Sequence, residues 1–381
     1  MTRQFSRRTV LNGIGSSALL AAYMGGNATE ALARSDLLLA ANPGWQDGAP
    51  AEWERVMKAA RAEGEVTIGG FPHLGKKMSA AFKRDTGIKL NWFGGRSSQI
   101  SSRFVAEARA KNLTIDAILG GGRELKLIPE GLMNPLKPQL ILPGVGPKNF
   151  RGGKLKWMDD EGQYFLQGAE WVFGWLLVNK DIIDPNAIKT WKDVLDPKYR
   201  GKIISHDPRS PGPGQGATSW IYNVFGIEFV KSFHLGQKVK FTRDNRQVVE
   251  SVIRGTTPIA FGSLQSFIER FRRKGISNLA VVLPADGPGY LTGGFSVIKQ
   301  AKGVPHPNAA QVFINWYMSR PGQEVYQSVM LATSRRTDVE TGLPDYVVPR
   351  PGVKYFEAYN EKRYNSRDVV VKAITDALGS R

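Results

Sequence analysis

Cysteine is absent from this chain of 381 residues. Its absence excludes disulfides, thiol catalysis, zinc–thiolate sites and a lipid-anchored amino-terminal cysteine. Histidine is scarce, and the four present, His73, His206, His234 and His306, lack the spacing of a metal-binding motif. The sequence has no G-x-S-x-G nucleophile elbow and no phosphate loop ending in G-K-[ST]. The usual signatures of hydrolases and nucleotide-binding enzymes are therefore missing.

Long apolar runs are also lacking. The run from Ile14 to Met24 is shorter than the ~18 residues that cross a bilayer. It follows a basic start and precedes the small residues Ala31 and Ala33, which is the layout of a removable signal peptide. Within it, "SRRTVL" (6–11) resembles the twin-arginine export signal, although a basic amino-terminal helix is the alternative. We predict a signal over residues 1–33, a linker over 34–50 and a periplasmic location.

Acidic residues are few compared with basic ones. The chain has 34 Asp and Glu against 52 Lys and Arg, and its formal net charge is +18. Such a surface favours an anionic partner, and nucleic acid is not expected for an exported protein. The basic residues are spread along the chain apart from "ERFRRKG" (269–275), which is typical of a solvated helix face. The charge favours a small anion as the ligand.

Glycine clusters follow the predicted strands of the first third. Strands and helices alternate between residues 51 and 122, and the strands end at Gly69-Gly70, Gly94-Gly95 and Gly120–Gly122. This order predicts a parallel sheet with helices on both faces. In such sheets, ligands bind beyond the carboxyl ends of the strands. The middle of the chain repeats the pattern, so we predict two α/β lobes with the second inserted in the first.

Four segments carry a resemblance to a known family. They are "TWKDVLDPKYRGKIISHDP" (190–208), "RSPGPGQG" (209–216), "VVESVIRGTTPIAFG" (248–262) and "HPNAAQVFINWYMSRPGQEVYQ" (306–327). Together they resemble the periplasmic solute-binding proteins of ABC importers, in the branch that binds ferric ion, thiamine, polyamines and sugar phosphates. The resemblance spans about residues 63–336.

The resemblance implies an α/β fold of two doubly wound lobes joined by hinge strands, the type II periplasmic binding protein fold. Residues 51–125 and 288–334 would form the first lobe, and residues 126–287 and 335–381 the second. The implied function is capture of a solute and delivery to a membrane permease, without catalysis and without a cofactor or metal. We expect a monomer. A sensor that presents ligand to a membrane receptor would share this fold, and an exported enzyme is the other alternative.

The glycine-rich turn "SHDPRSPGPGQGATSW" (205–220) is the main candidate for ligand binding. A helix that begins near Gly214 leaves backbone N–H groups without partners, with the positive end of the helix dipole behind them. Such helix starts bind carboxylate or phosphate. Ser210, Gly212 and Gly214 would form this cradle, with Asp207 ordering the turn. The alternative is a turn whose prolines and glycines serve only chain reversal.

Further contacts are implied by the resemblance. Phe71, Ser97 and Ser98 occupy positions of first-lobe contacts, although Ser97 or Ser98 is alternatively a helix cap. Arg96 would clamp an anion or remain a surface arginine. Asn245 would contact the anion, cap the following helix, or do both.

Trp171 and Tyr290 lie near the predicted hinge strands. Their rings would stack on the ligand or belong to the core.

Iron and polyamines fit the residues poorly. Ferric-ion members of the family carry adjacent tyrosines where this sequence has Gln265 and Ser266. Fe(III) prefers hard anionic oxygen ligands, and these side chains are neutral. Polyamines would require clustered carboxylates, which this basic chain does not show. The sequence therefore predicts a small organic anion, such as a phosphorylated or carboxylated metabolite, with Gln265 as a contact; a ferric-ion binder of the same fold is the alternative.

Overall fold

Two sheets and a short third sheet organise the protein in the computed structural model, which describes residues 44–379. The predicted signal and most of the predicted linker lie outside the described residues. The strands are β1 (Glu65–Gly70), β2 (Lys89–Gly94), β3 (Ala117–Gly120), β4 (Met133–Asn134), β5 (Lys156–Trp157), β6 (Leu166–Gln167), β7 (Trp171–Phe173), β8 (Leu176–Asn179), β9 (Ile203–His206), β10 (Lys240–Thr242), β11 (Ile259–Phe261), β12 (Leu279–Val282), β13 (Tyr290–Thr292), β14 (Val297–Ala301) and β15 (Phe356–Glu357).

The α-helices lie between and after these strands. They are α1 (Ala51–Glu63), α2 (Gly75–Thr86), α3 (Ser97–Ala110), α4 (Pro213–Lys231), α5 (Asn245–Ile253), α6 (Gln265–Arg272), α7 (Pro307–Met318), α8 (Arg320–Met330), α9 (Glu361–Asn365) and α10 (Arg367–Leu378). Within residues 44–379, no helix combines the length and apolar character that a bilayer crossing requires.

The first lobe is built on a seven-stranded mixed sheet. Its strand order is β2-β1-β3-β14-β6-β5, and β4 also pairs with β14. Strands β1, β2 and β3 are parallel, and β14 runs antiparallel to β3. The carboxyl ends of the three parallel strands therefore share one edge of the sheet.

Helix α1 shows how the sequence builds this lobe. Its apolar residues Trp53, Val56, Met57 and Ala60 recur at helical spacing, and all four are buried. Burial of each larger side chain contributes roughly 1.5–3 kcal/mol to folding. The helix ends at Gly64, which has a φ of 77°, a conformation that glycine adopts without strain.

The second lobe is built on a five-stranded sheet of order β10-β9-β11-β8-β12. Strands β9, β10 and β11 are parallel. The core beside them is aromatic: the fully buried Trp191 ring meets Trp220 of α4 at 5.3 Å and Phe261 of β11 at 5.5 Å, both edge to face. These ring contacts pack α4 against the sheet. Trp191 Nε1 also donates to Gly287 O at 3.0 Å, so the same side chain holds the loop that precedes β13.

Three strands connect the lobes. Strand β13 pairs with β7 in antiparallel and with β15 in parallel orientation. Strands β7 and β13 are the predicted hinge strands. Strand β15 adds a segment from near the carboxyl terminus. Helix α10 then packs against α4 of the second lobe.

Both lobe boundaries expected from the sequence need correction. The boundary between lobes at residue 126 is too early, because β4, β5 and β6 all pair within the first sheet. Residues just after 334 also stay with the first lobe, since Arg336 donates to Met318 O at 2.9 Å. After Thr190, the chain forms two 3₁₀ turns, Asp193–Leu195 and Pro197–Tyr199.

Candidate functional site

The carboxyl edge of the second sheet brings three helix starts together. Helix α4 follows β9, α5 follows β10 and α6 follows β11. Because the three strands are parallel neighbours, the amino ends of their helices lie along the same edge. Each amino end is the positive end of a helix dipole. This edge is therefore suited to a negatively charged ligand.

The turn before α4 is ordered by Asp207. Its carboxylate accepts hydrogen bonds from the backbone N of Arg209 at 3.0 Å and from Arg209 Nε at 2.9 Å. Burial works against ionisation, but these Arg209 contacts prevail and hold the pKa of Asp207 below its ordinary value. The carboxylate is thus engaged within the turn, and Ser210 N donates to Asp207 O at 3.1 Å.

Close packing explains the glycines of the turn. A Cβ on Gly212 would lie 2.5 Å from Cε1 of the His206 ring, and a Cβ on Gly214 would overlap the carbonyl oxygen of His206. From the other side, a Cβ on Gly262 would lie 2.8 Å from the Cα of Gly214. Helix α4, which begins at Pro213 with Gly212 as its N-cap, is therefore seated directly on the ends of β9 and β11.

Polar groups at this helix start lack partners. The amides of Gly214 and Gln215 make no hydrogen bond to any residue in the range 44–379, whereas Gly216 N donates to Gly212 O at 3.2 Å. Ser210 Oγ and His206 Nδ1 are also buried without a partner among these residues. Burial lowers the pKa of His206, so its ring is neutral at pH 7. Buried polar groups normally have partners, and a bound ligand would supply them here.

Asn245 and Gln265 are the first residues of the two neighbouring helices. Asp244, rather than Asn245, caps α5, because its side chain accepts from the backbone N of Arg246 at 2.8 Å. Asn245 Oδ1 and Gln265 Oε1 are both buried without a partner among the described residues. Gln265 Nε2 donates across the lobes to Met330 O at 3.4 Å. Rotation of either side-chain amide by 180° would place its NH₂ group, a donor, where the unpartnered oxygen now lies.

The first-lobe candidates lie at the carboxyl ends of β1 and β2. The half-buried Phe71 ring follows β1 and lies 5.0 Å from the ring of Phe295. Ser97 and Ser98 are the first two residues of α3, so neither is its cap. Arg96 is the N-cap residue, and its exposed position leaves the guanidinium in solvent.

The two hinge aromatics are buried. Trp171 and Tyr290 lie on β7 and β13, and Trp171 Nε1 has no partner among residues 44–379. The Tyr290 hydroxyl lies against α4, 2.8 Å from the position of a Cβ on Gly216. Burial raises the pKa of Tyr290 far above its ordinary value, so the hydroxyl is a neutral donor.

Three residues at the second-lobe edge were not among the sequence candidates. They are His206, Gln215 and Arg367. His206 packs against the glycines of the turn, and Gln215 Oε1 accepts a hydrogen bond from Arg367 Nη2 at 2.5 Å. A glycine-rich turn directly after His206 was the available signal for that residue. Arg367 lies 152 positions from Gln215, and no local pattern links the two. Among the described residues, no three or more His, Cys, Asp or Glu side chains are grouped so as to hold a metal ion.

Comparison with known proteins agrees with this architecture. A family model described as "Bacterial extracellular solute-binding protein" matches residues 77–340. An uncharacterized protein of Haemophilus influenzae is 28% identical over 141 residues, a match that covers 36% of this chain and 39% of that protein.

Two solved structures share the fold at low sequence identity. Iron-bound HitA from Pseudomonas aeruginosa has a TM-score of 0.61 and 19% identity, with coverage of 82% of this chain and 99% of HitA. AfuA from Actinobacillus pleuropneumoniae, a periplasmic binding protein with fructose 6-phosphate bound, has a TM-score of 0.63 and 18% identity, with coverage of 82% and 97%. The predicted two-lobed α/β fold is confirmed. The chain belongs to the family of bacterial extracellular solute-binding proteins.

Proposed function

We propose that this protein captures a small organic anion between its two lobes and delivers it to a membrane permease. The observation that carries the proposal is that the amides of Gly214 and Gln215, at the start of α4, make no hydrogen bond within residues 44–379. The same turn carries Ser210 Oγ and follows His206, whose Nδ1, like Ser210 Oγ, is buried without a partner among the described residues. The anionic group of the solute would accept hydrogen bonds from these groups and would face the positive end of the helix dipole.

The turn is built to bind without large reorganisation. Pro208, Pro211 and Pro213 restrict the backbone, and Asp207 orders it through Arg209. A site that is already ordered loses less conformational entropy when the solute binds. Asn245 and Gln265 would supply further polar contacts from the same edge, and Phe71, Ser97 and Ser98 would close on the solute from the first lobe.

Ferric ion is the less favoured ligand. HitA is described as iron-bound. In this chain, however, Gln265 is a neutral amide that already contacts Met330 O, and Ser266 beside it is neutral as well. Fe(III) is held best by anionic oxygen ligands. We therefore propose an organic anion, and a visible tyrosinate–iron band on addition of ferric citrate would contradict this choice.

The remaining parts of the proposal concern location and assembly. We propose a periplasmic protein exported by the twin-arginine-type signal over residues 1–33, acting as a monomer and without catalysis. A solute recovered unchanged after incubation with the protein is the result expected of a binding protein. Turnover of the solute would favour the exported enzyme instead.

Titration calorimetry with fructose 6-phosphate, citrate and inorganic phosphate tests the proposal, with neutral fructose as the matched control. We expect saturable binding of at least one anion and none of fructose. Ser210→Ala removes a hydroxyl that has no partner among residues 44–379, so it should weaken anion binding by roughly 3- to 10-fold at little cost in stability.

Gly214→Ala should abolish binding, because the new methyl group displaces the helix start from His206. Gly236→Ala is its control, since a Cβ there meets no atom within 4 Å. Circular dichroism distinguishes loss of binding from loss of folding. Unchanged affinity in both Ser210→Ala and Gly214→Ala would remove the turn from the site.

A further inference from the structure

The carboxy-terminal segment, residues 353–379, lies outside the residues 77–340 that match the family model. It contacts both lobes. On the first-lobe side, Glu357 pairs with Lys156 at 2.6 Å, and Tyr359 donates from its hydroxyl to Gly294 O at 3.2 Å. On the second-lobe side, α10 packs along α4. The segment therefore passes from the first lobe to the second.

Arg367 is the residue of this segment that approaches the turn. It is half-buried as the first residue of α10, and its Nη2 donates to Gln215 Oε1 at 2.5 Å in the first turn of α4. Its guanidinium lies 5.8 Å from the ring centre of Tyr364. Burial raises the pKa of Tyr290, and the Arg367 charge opposes this shift, which is consistent with its lying close to the hinge tyrosine.

The charge of Arg367 is not compensated by any carboxylate in the part of the chain that the structure describes. No carboxylate among residues 44–379 lies within ion-pair distance of it, whereas the buried Arg335 and Arg336 pair with Glu170 and Asp338. Arg367 also lies at the amino ends of two helices, its own α10 and the adjacent α4. A cation near the positive end of a helix dipole is unfavourable, and two such ends add to the cost. An anion beside Arg367 would offset all three positive sources.

Buried polar side chains around the first turn of α4 also favour a ligand beside Arg367. The Ser210 hydroxyl, in a residue 6% exposed, and His206 Nδ1, in a residue 4% exposed, have no partner among the described residues. The His206 ring is directed at Gly212, the N-cap of α4. The Tyr290 hydroxyl, a neutral donor, lies against Gly216 in the same first turn.

We infer that Arg367 is a direct, specificity-determining contact to the anionic group of the solute, held together with the amides of Gly214 and Gln215. The inference rests on the proposed function and adds a ligand contact from outside the matched family region. One Nη group is engaged by Gln215, and the remaining N–H groups form a fork that suits a group with two acceptor oxygens. The solute class is therefore a carboxylate or a phosphate monoester.

The test compares Arg367→Gln and Arg367→Lys with the wild-type protein in calorimetric titrations with citrate and fructose 6-phosphate. We expect Arg367→Gln to weaken binding by roughly 10- to 100-fold and to reduce its dependence on salt. Arg367→Lys keeps the charge but loses the forked N–H donors of the guanidinium. Its affinity should therefore lie between those of the wild type and Arg367→Gln. Whichever probe loses more affinity identifies the anionic group as carboxylate or phosphate.

Arg363→Gln is the matched control, because Arg363 lies on the same segment, is exposed, and its guanidinium interacts with Asn223 and the Phe356 ring, not with the turn. Its affinity should equal that of the wild type. Thermal unfolding without solute checks that Arg367→Gln remains folded. Equal affinity of wild type and a folded Arg367→Gln would overturn this inference and leave the proposed function standing. Absence of binding by the wild type to any of the anions would overturn both.

Discussion

His206 connects the glycine-rich turn to the second sheet. Its carbonyl oxygen occupies the space that a Cβ on Gly214 would need, and its ring occupies the space of a Cβ on Gly212. Both positions therefore require glycine. Burial keeps the ring neutral by lowering its pKa. A neutral ring adds no charge to the helix start, so the α4 dipole and Arg367 are not opposed or reinforced by His206.

His234 supports α4 from behind in a similar way. It is fully buried, its Nε2 lies 3.1 Å from Thr218 Oγ1, and burial lowers the pKa of His234 from an ordinary value of 6.5 to about 3. Because the folded-state pKa is depressed, the stabilising effect of the neutral ring is complete above pH 6.5 and is lost as the pH falls towards 3. The unfolded chain takes up a proton that the folded protein excludes.

We therefore expect wild-type stability to fall by about 2 kcal/mol between pH 8 and pH 5 through this residue alone. His234→Gln keeps a donor for Thr218 and should show a correspondingly flatter profile. Urea unfolding at pH 8, 6.5 and 5 measures the difference, and His206, present in both proteins, cancels from it. Parallel profiles for the two proteins would contradict the assignment.

Among the elements, the hinge strand β7 begins beside a buried charge cluster. The Glu170 carboxylate accepts from Arg335, from Lys156 Nζ at 2.8 Å and from Arg151 at 3.1 Å. Burial alone would raise the pKa of Glu170, but the three cations outweigh it and the pKa is lowered. The cluster ties the end of the first lobe to the start of the hinge. Glu357 of β15 adds a second carboxylate to Lys156.

Glu170→Gln should destabilise the protein by roughly 3–5 kcal/mol at pH 7, because it leaves buried cations without their carboxylate. Glu357→Gln is the control, since that carboxylate is about half exposed and its pair contributes within about 1 kcal/mol. Urea unfolding of both variants measures the difference. The contribution of Glu170 is present above its unfolded-state pKa of about 4.3 and disappears as the pH falls through its lowered folded value. Equal destabilisation by the two variants would rule out this role.

The elements also show what the sequence could and could not predict. Helix α1 and strands β1 to β3 were predictable, because helical spacing and terminal glycines mark them locally. Strands β4, β5 and β6 have two residues each, too short to show an alternating pattern, and so the lobe boundary was misplaced.

The candidate site divides in the same way. The turn around Gly214 carries its own local signal, and Asn245 and Gln265 were suggested by the family resemblance. Arg367 was not predictable, because only the folded chain brings it to Gln215.

At the scale of the whole molecule, the proposed closure of the two lobes on a solute would depend on the three hinge strands and on contacts between the lobes. Gln265 Nε2 of the second lobe reaches Met330 O of the first at 3.4 Å, and β15 pairs beside β13 in the hinge. The Gln265 bond is long and therefore weak, so it should resist opening of the ligand-free protein only slightly. A solute that contacts both lobes would favour the closed form by its differential affinity for it.

Small-angle scattering should therefore give a smaller radius of gyration with a saturating anionic solute than without it. A compact chain of this length has a radius of about 20 Å, and hinge closure should reduce the measured value by about 1 Å. Fructose, which lacks the anionic group of fructose 6-phosphate, should cause no change. Arg367→Gln should require more solute to reach the same compaction, because its weaker binding shifts the population less at a given concentration. An unchanged radius at saturation would show that the solute binds without bringing the lobes together.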